Sequence, residues 1–287
     1  MLTQPKPLKF RTIWISDVHF GTRRAQADML LDFLRLTESQ TLYLVGDIID
    51  NWSLKKTWHW EQSHNDVVQK LLRKARKGTR VVFIPGNHDE YFRDLAGQWF
   101  GHVSIVEEAL HVTANGRRYL VLHGDKFDGV IRYARWLAHL GDQAYERAID
   151  LNKLVNRVRR FFGMPYWSLS ALLKRKVKTA VEFISHFEDA LVREAARHGA
   201  DGVICGHIHT PQMRQIDAIH YCNDGDWVES CTALVEHFDG SFEIIDWAAF
   251  QSTMGLSTPV PGKPVPVPAT AASFASLALQ ASLVGIV

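Results

Sequence analysis

Seven residues able to bind a metal sit in five short blocks: Asp17-x-His19, Gly46-Asp47-x-x-Asp50, Gly86-Asn87-His88-Asp89, His123-Gly124-Asp125 and Gly206-His207-x-His209. The seven are Asp17, His19, Asp47, Asn87, His123, His207 and His209. Carboxylate, imidazole and carbonyl-type oxygen form a donor mixture that Mn²⁺, Fe²⁺ and Zn²⁺ all accept. Asp17 and His19 are two residues apart, so they converge only from a turn just beyond a strand, and His207 and His209 share that spacing. Asp47 stands where one carboxylate could bridge two ions. Asn87 supplies a neutral oxygen that limits negative charge, and His123 adds an imidazole. Two ions ~3.5–4 Å apart hold both sides of an in-line displacement at phosphorus and lower the pKa of a shared water. That water, as a metal-bridging hydroxide, is the expected nucleophile. His88 adjoins Asn87 and suits protonation of the leaving oxygen or a clamp on the phosphoryl group. The catalytic candidates are therefore His88, Asp47 and Asn87. The other nine histidines, among them His64 and His111, read as structural.

Each block follows a short apolar run that reads as a strand. Phe10 to Ser16, Thr41 to Val45 and Val81 to Ile84 alternate with helical spacing over Ala25 to Leu36 and Asp66 to Lys77, with Gly78 as the second helix's stop. Strand–helix–strand order is the parallel, helix-covered pattern. The pattern then changes. His111 to Thr113 and Arg118 to Leu122 flank an Asn115-Gly116 hairpin signal. Gly202 to Cys205, Ile219 to Cys222, Thr232 to Phe238 and Phe242 to Ile245 are further strands, the last pair joined by Asp239-Gly240. Parallel units followed by antiparallel ones predict an α/β fold of two mixed sheets packed together, with helices outside. Five strands ending at a common edge would gather the scattered donors around one point.

The chain of 287 residues suits one large domain with an insertion. Its net charge of +2 is too mild to imply a polyanion partner, and no nucleic-acid partner is expected. Three cysteines without paired spacing argue against a disulfide scaffold and for a reducing compartment. No signal peptide is evident in Met1 to Lys9, and no run reaches the ~20 apolar residues of a membrane span, so a cytoplasmic protein is expected.

The main domain is expected to occupy residues 1–256, with a helical lid insertion over about 126–200. Between Leu151 and Val181 there is no acidic residue. Two basic groups, including Arg160, Lys174 and Lys178, flank an aromatic turn with Tyr166 and Trp167. Such a segment suits an anionic bilayer surface, where aromatic rings sit at head-group depth. The plainer alternative is a solvated helical face with a buried aromatic hinge. The substrate-binding candidates are His88, Arg160, Tyr166, Trp167, Lys174 and Lys178. Trp52, Trp58 and Trp60 form a second aromatic cluster, read as core or pocket wall. Residues 257–287 read as a Pro-rich linker and a flexible Ala/Ser/Leu-rich tail.

The five blocks resemble the calcineurin-like metallophosphoesterase superfamily over about residues 10–247. The resemblance implies a four-layer α/β/β/α sandwich and two divalent ions, most commonly Mn²⁺, with Fe²⁺ or Zn²⁺ as alternatives. Carried over by position, it implies one ion on Asp17, His19, Asp47 and His209, and a second on Asp47, Asn87, His123 and His207. The order of blocks and the insert are similar to the UDP-2,3-diacylglucosamine diphosphatase group. Those enzymes release UMP and lipid X in lipid A biosynthesis at the inner face of the cytoplasmic membrane. The well-known members have Gly-Asn-Arg-Asp where this chain has Gly86-Asn87-His88-Asp89. His88 equally suits a related branch resembling a phospholipase C-type phosphoesterase, which cleaves phosphatidylcholine or phosphatidylglycerol to diacylglycerol. A nucleotide phosphodiesterase or nuclease, and a non-catalytic scaffold that has lost the catalytic His, are more distant alternatives. Because His88 and all seven donors are present, a hydrolase of an amphipathic lipid-type substrate is expected, with peripheral membrane contact.

Overall fold

The protein is described from a computed structural model, over residues 7–127, 184 and 186–253. Met1–Phe250 form one compact unit, and everything below concerns it; the second unit, Gln251–Val287, lies almost wholly outside the described residues.

β1 (Leu8–Ile15), β2 (Thr37–Val45), β3 (Arg80–Ile84) and β5 (Val103–Ile105) run parallel in the middle of a seven-stranded sheet. Antiparallel β11 (Thr232–Glu236) and β12 (Phe242–Asp246) extend it on one side, and β4 (Trp99–Phe100) closes the other. The second sheet has the order β6-β7-β8-β10-β9: β6 (Ala109–Val112), β7 (Arg118–Val121), β8 (Gly202–Cys205), β10 (Ile219–Asn223) and β9 (Gln212–Ile216). Its three middle strands are parallel and its two edges antiparallel.

Three separate hydrophobic clusters define four layers. Ile13 and Ile15 of β1 turn toward α1 (Ala27–Leu36) and α3 (Gln62–Arg76), packing with Leu30, Phe33, Leu34, Val67 and Leu71. Trp14, on the opposite face of the same strand, joins Tyr43, Val45 and Val82 against Tyr119, Val121 and Ile204 of the second sheet. Leu120, Val203 and Tyr221 then turn outward onto Phe187, Leu191 and Ala195 of helix α4 (186–197). A stretch buried on both faces needs an unbroken apolar run rather than alternation, which is why β1 ends in Ile13-Trp14-Ile15. The expected sandwich of two mixed sheets between helices is present.

Local chemistry moved several boundaries. α3 begins four residues before the expected Asp66, because Glu61 caps it: its side chain accepts from the His64 backbone, and the His64 ring faces the Glu61 N–H at 3.4 Å. Glutamate is an unusual N-cap, so the start carried no Ser/Thr/Asp/Asn signal. Gly78 does end this helix, at φ 102°. β2 starts at Thr37 rather than Thr41, directly after α1, with the Thr37 hydroxyl donating to the Phe33 carbonyl at 2.7 Å. β9, β4, β5, α2 (Asn51–Lys56) and α5 (Trp247–Thr253) were not anticipated. The polar run Gln212–Ile216 becomes a strand only because β10 offers it an antiparallel ladder.

Candidate metal centre

Each block starts where a strand stops. β1 leads to Asp17 and His19, β2 to Asp47, β3 to Asn87 and His88, β7 to His123, and β8 to His207 and His209. Parallel strands release their chains at the same edge, and the carboxyl ends of such strands are where open α/β sheets place their sites. The chain turns so sharply there that Asp17, His19, Asp47, His207 and His209 all adopt left-handed backbone, at φ 49°, 55°, 52°, 71° and 52°. That conformation costs a residue with a side chain roughly 1–2 kcal/mol, and it persists only where neighbouring bonds over-determine it. Here the Asp17 N–H donates to the Gly46 carbonyl at 3.0 Å and the His19 N–H to the Asp47 carbonyl at 2.9 Å. Gly46, at φ 78°, passes so close to the His123 ring that an added Cβ would collide with it.

Donor atoms of Asp17, His19 and His209 lie within 4.8 Å of one another, as do those of Asp47, His123 and His207, and of His19, Asp47 and His88. Asp47 joins the groups. Its Oδ2 is 3.8 Å from His19 Nε2 and 3.9 Å from His88 Nε2, while its Oδ1 is 3.5 Å from His123 Nε2. On the other flank, Asp17 Oδ1 is 2.9 Å from His209 Nε2 and 3.7 Å from His19 Nε2. Metal–ligand bonds of ~2.0–2.2 Å place neighbouring donors about 3–3.5 Å apart, close to these spacings. Asp17 Oδ1, His19 Nε2, Asp47 Oδ2, Asn87 Oδ1 and His123 Nε2 are buried without a well-formed hydrogen bond among the described residues. Leaving a buried polar atom so costs ~1–3 kcal/mol, a penalty that divalent cations would remove. The donor set fits divalent cations, and Asp47 is shared by two of the three candidate groups.

Charge is distributed to suit. Burial opposes ionisation of Asp17, yet the neighbouring His209 and His19 rings hold its carboxyl well below the usual range. Asp47 is likewise lowered against burial, mainly by His123. Burial works against a charged His19, but Asp17 and Asp50 raise it to about 9; Asp47 raises His123 to about 10 against the same opposition.

A surrounding layer of polar groups aims these donors. His123 Nδ1 lies 2.8 Å from the Val45 carbonyl, which fixes that nitrogen as the donor and turns Nε2 inward. Asp50 does the same for His19, with Oδ2 3.3 Å from its Nδ1. Asp89 is fully buried and accepts from the backbone N–H groups of Gly86 at 2.6 Å and Ile48 at 2.8 Å, tying the β2 and β3 exits together. Burial first, then the Asp47 charge, pushes its carboxyl up to about 6. Asp17 Oδ2 takes the His207 N–H at 2.7 Å and the Ser16 hydroxyl at 2.6 Å, and Ser16 also contacts Asp224 at 2.7 Å. Asp50 and Asp89 stand inside the motif blocks, although only the fold shows what they hold. Ser16 and Asp224 had no signal at all.

Among the aromatic candidates, Trp58 is a surface residue at 76% exposure rather than core or wall. Trp60 packs on the core, and Trp52, half-exposed, has its ring 4.3 Å from that of His88. Arg160, Tyr166, Trp167, Lys174 and Lys178 lie outside the described residues, as do most of the expected insertion and the 257–287 tail. Among the described residues, no helix is long and apolar enough to cross a membrane.

Residues 10–211 match the calcineurin-like phosphoesterase family. The chain belongs to that family and is a metallophosphoesterase, a hydrolase. It is 28% identical over 242 residues to a UDP-2,3-diacylglucosamine hydrolase of Xanthomonas campestris pv. campestris, covering 80% of this chain and 96% of the relative. A UDP-2,3-diacylglucosamine hydrolase of Azotobacter vinelandii is 27% identical over 215 residues, covering 71% and 84%. Among solved structures, the phosphoesterase Yfce from E. coli is similar with a TM-score of 0.39 at 16% identity, covering 82% of this chain and 98% of that one.

Proposed function

We propose that this protein is a two-metal phosphoesterase of the UDP-2,3-diacylglucosamine diphosphatase type, acting on a nucleotide-lipid presented at the inner face of the cytoplasmic membrane. The observation that carries the two-metal reading is Asp47, whose two oxygens face different histidine groups. Asp17, His19, Asp47 and His209 would hold one ion, and Asp47, Asn87, His123 and His207 the other, with Mn²⁺ favoured over Fe²⁺ or Zn²⁺. Bound there, two cations would neutralise phosphoryl charge and activate water for in-line attack. His88 stands at the rim, with Nε2 toward Asp47 and Nδ1 3.0 Å from Asp50. Held by that carboxylate, its imidazole would donate a proton or hydrogen bond to the leaving oxygen. The substrate class rests on the named relatives, which cover most of their own length in this match.

His88 in place of the diphosphatases' arginine favours a second reading, a phospholipase C-type enzyme releasing diacylglycerol. Purified protein with Mn²⁺ would be incubated with UDP-2,3-diacylglucosamine, phosphatidylcholine and phosphatidylglycerol, and the phosphorus products identified by ³¹P NMR. UMP is expected. Phosphocholine or glycerophosphate would transfer the assignment to the second reading, and no turnover of any of the three would defeat both.

A further inference from the structure

About 20 Å from the metal edge, counting the six residues from Asp17 back to Arg11 at ~3.3 Å each, a second polar cluster opens to the surface between the two sheets. It surrounds a cavity of about 250 Å³ bounded by Arg11 and Thr12 of β1, Thr41 and Tyr43 of β2, Arg80 of β3 and His111 of β6. Drug-sized ligands occupy ~300–1,000 Å³, so this volume suits a small ion or a compact ester. We propose that this cavity is an oxyanion site for inorganic phosphate or a small phosphomonoester, separate from the metal centre.

The charge balance around the cavity points to an anion. The fully buried Glu236 bonds three of the lining residues, Arg11, Thr12 and His111, and its oxygens are saturated from within. Arg11 Nη1 lies 2.7 Å from both oxygens, the Thr12 hydroxyl donates at 2.9 Å, the Ala114 N–H at 2.8 Å, and His111 Nε2 lies at 2.9 Å. That carboxylate therefore balances Arg11 and has no capacity left for Arg80. Arg80, exposed at the start of β3 opposite Thr41, takes part in none of the ion pairs formed among the described residues. Arg11, Arg80 and the Tyr43 side chain all line the same cavity. With Arg11 cancelled by Glu236, the cavity keeps one uncompensated guanidinium beside hydroxyl groups.

A guanidinium presents paired N–H donors in a plane, which matches two oxygens of a phosphate and binds it more directionally than an ammonium would. Arg11 commits Nη1 to Glu236, leaving the rest of its fork for a ligand. Part of the lining is apolar: Leu110 and Val112, each more than two-fifths exposed, also border the cavity. A phosphoryl head on the arginines, with any organic remainder against Leu110 and Val112, satisfies both parts of the lining.

The test is ¹H–¹⁵N NMR of arginine Nε–Hε groups in the full-length protein loaded with Zn²⁺, a diamagnetic ion. Inorganic phosphate and glycerol phosphate would each be added at ionic strength held constant with chloride. The Arg80 resonance is identified by its absence from Arg80→Gln. Saturable displacement of the Arg80 and Arg11 signals is expected with at least one of the two. In Arg80→Gln, whose fold is checked by spectral dispersion and melting temperature, the Arg11 response should require at least tenfold more ligand. Tighter binding of glycerol phosphate identifies an organic ester as the occupant, and equal or weaker binding identifies free phosphate; either supports the site. Shifts that rise linearly with ligand, or an Arg11 response unchanged in Arg80→Gln, would show only a solvated arginine pair and overturn the proposal. Phosphate captured solely by the metal centre would leave both arginine signals in place and would overturn it equally.

Discussion

Asp50 Oδ1 lies 3.0 Å from His88 Nδ1, and the other oxygen of the same carboxylate lies 3.3 Å from His19 Nδ1. One buried side chain thus orients both the proposed proton donor and a proposed metal ligand. The two partners are separable by mutation. Asp50→Asn should lower both turnover and metal affinity by about 10–100-fold, as losing a ligand's outer partner commonly does. His88→Asn should lower kcat by about 10²–10⁴-fold while metal affinity stays near wild type. Steady-state kinetics with calorimetric metal titration would distinguish them. Unchanged turnover in His88→Asn would remove His88 from the chemistry.

Metal binding should expel protons. With His19 raised to about 9 and His123 to about 10, both rings are charged at pH 7 in the metal-free protein. A ligating imidazole must be neutral. Apparent metal affinity should therefore climb with pH, by up to about tenfold per unit for each ring displaced, and level off near pH 9–10. The metal-free fold should show the opposite trend. A folded pKa raised above the ordinary histidine value of ~6.5 contributes stability that is fully present below ~6.5 and is lost as pH rises through 9 to 10. Calorimetry in two buffers of different ionisation enthalpy counts the protons. Thermal melts of chelator-treated protein from pH 6 to 10 follow the stability.

Gly46→Ala and Gly78→Ala form a matched pair. Both positions have positive φ, at 78° and 102°. A Cβ at Gly78 meets nothing within 4 Å, whereas one at Gly46 collides with the His123 ring. Gly78→Ala should cost about 1–2 kcal/mol through backbone strain. Gly46→Ala should exceed that by about 1–3 kcal/mol of overpacking and should also weaken metal binding. Urea denaturation of the two metal-free variants provides the comparison, and equal losses would argue against a close Gly46–His123 approach.

Glu236 should make the fold acid-sensitive in a defined window. Burial opposes its charge, but His111, the Ala114 N–H, Arg11 and Thr12 hold it down to about 2. A depressed folded pKa contributes stability that is present above the unfolded value, ~4.3 for glutamate, and is lost as pH falls through about 2. Glu236→Gln should destabilise the protein by about 1–3 kcal/mol at pH 7. The gap from wild type should shrink between pH 4 and pH 2. Urea midpoints at pH 7, 4 and 2.5 would show it, and a gap independent of pH would mean the charge contributes nothing.

β1, β2 and β3 were legible because each ends in an apolar run, Ile13–Ile15, Leu42–Val45 and Val81–Ile84, that needs no context. The Asn115-Gly116 and Asp239-Gly240 turns were legible because glycine supplies the positive φ there, 84° at Gly116 and 85° at Gly240. β9 was not legible: a polar segment such as Gln212–Ile216 is a strand only because β10 already lies beside it. The α3 start was hidden for a local reason, its unusual glutamate cap.

The chain's own order of residues determined the inventory of donors and their placement at strand exits, because motif spacing and apolar runs are local properties. It also determined that donors released by parallel strands meet at one edge. Tertiary structure decided which oxygen of Asp47 faces which histidine, and that His123 is aimed by a carbonyl 78 positions away in the chain. It also decided that Ser16 and Asp224, 208 positions apart, support Asp17. Those relations depend on the register between strands and the packing of one sheet on the other. Hydrogen bonds across such distances leave no periodicity in the sequence, so only the folded chain displays them.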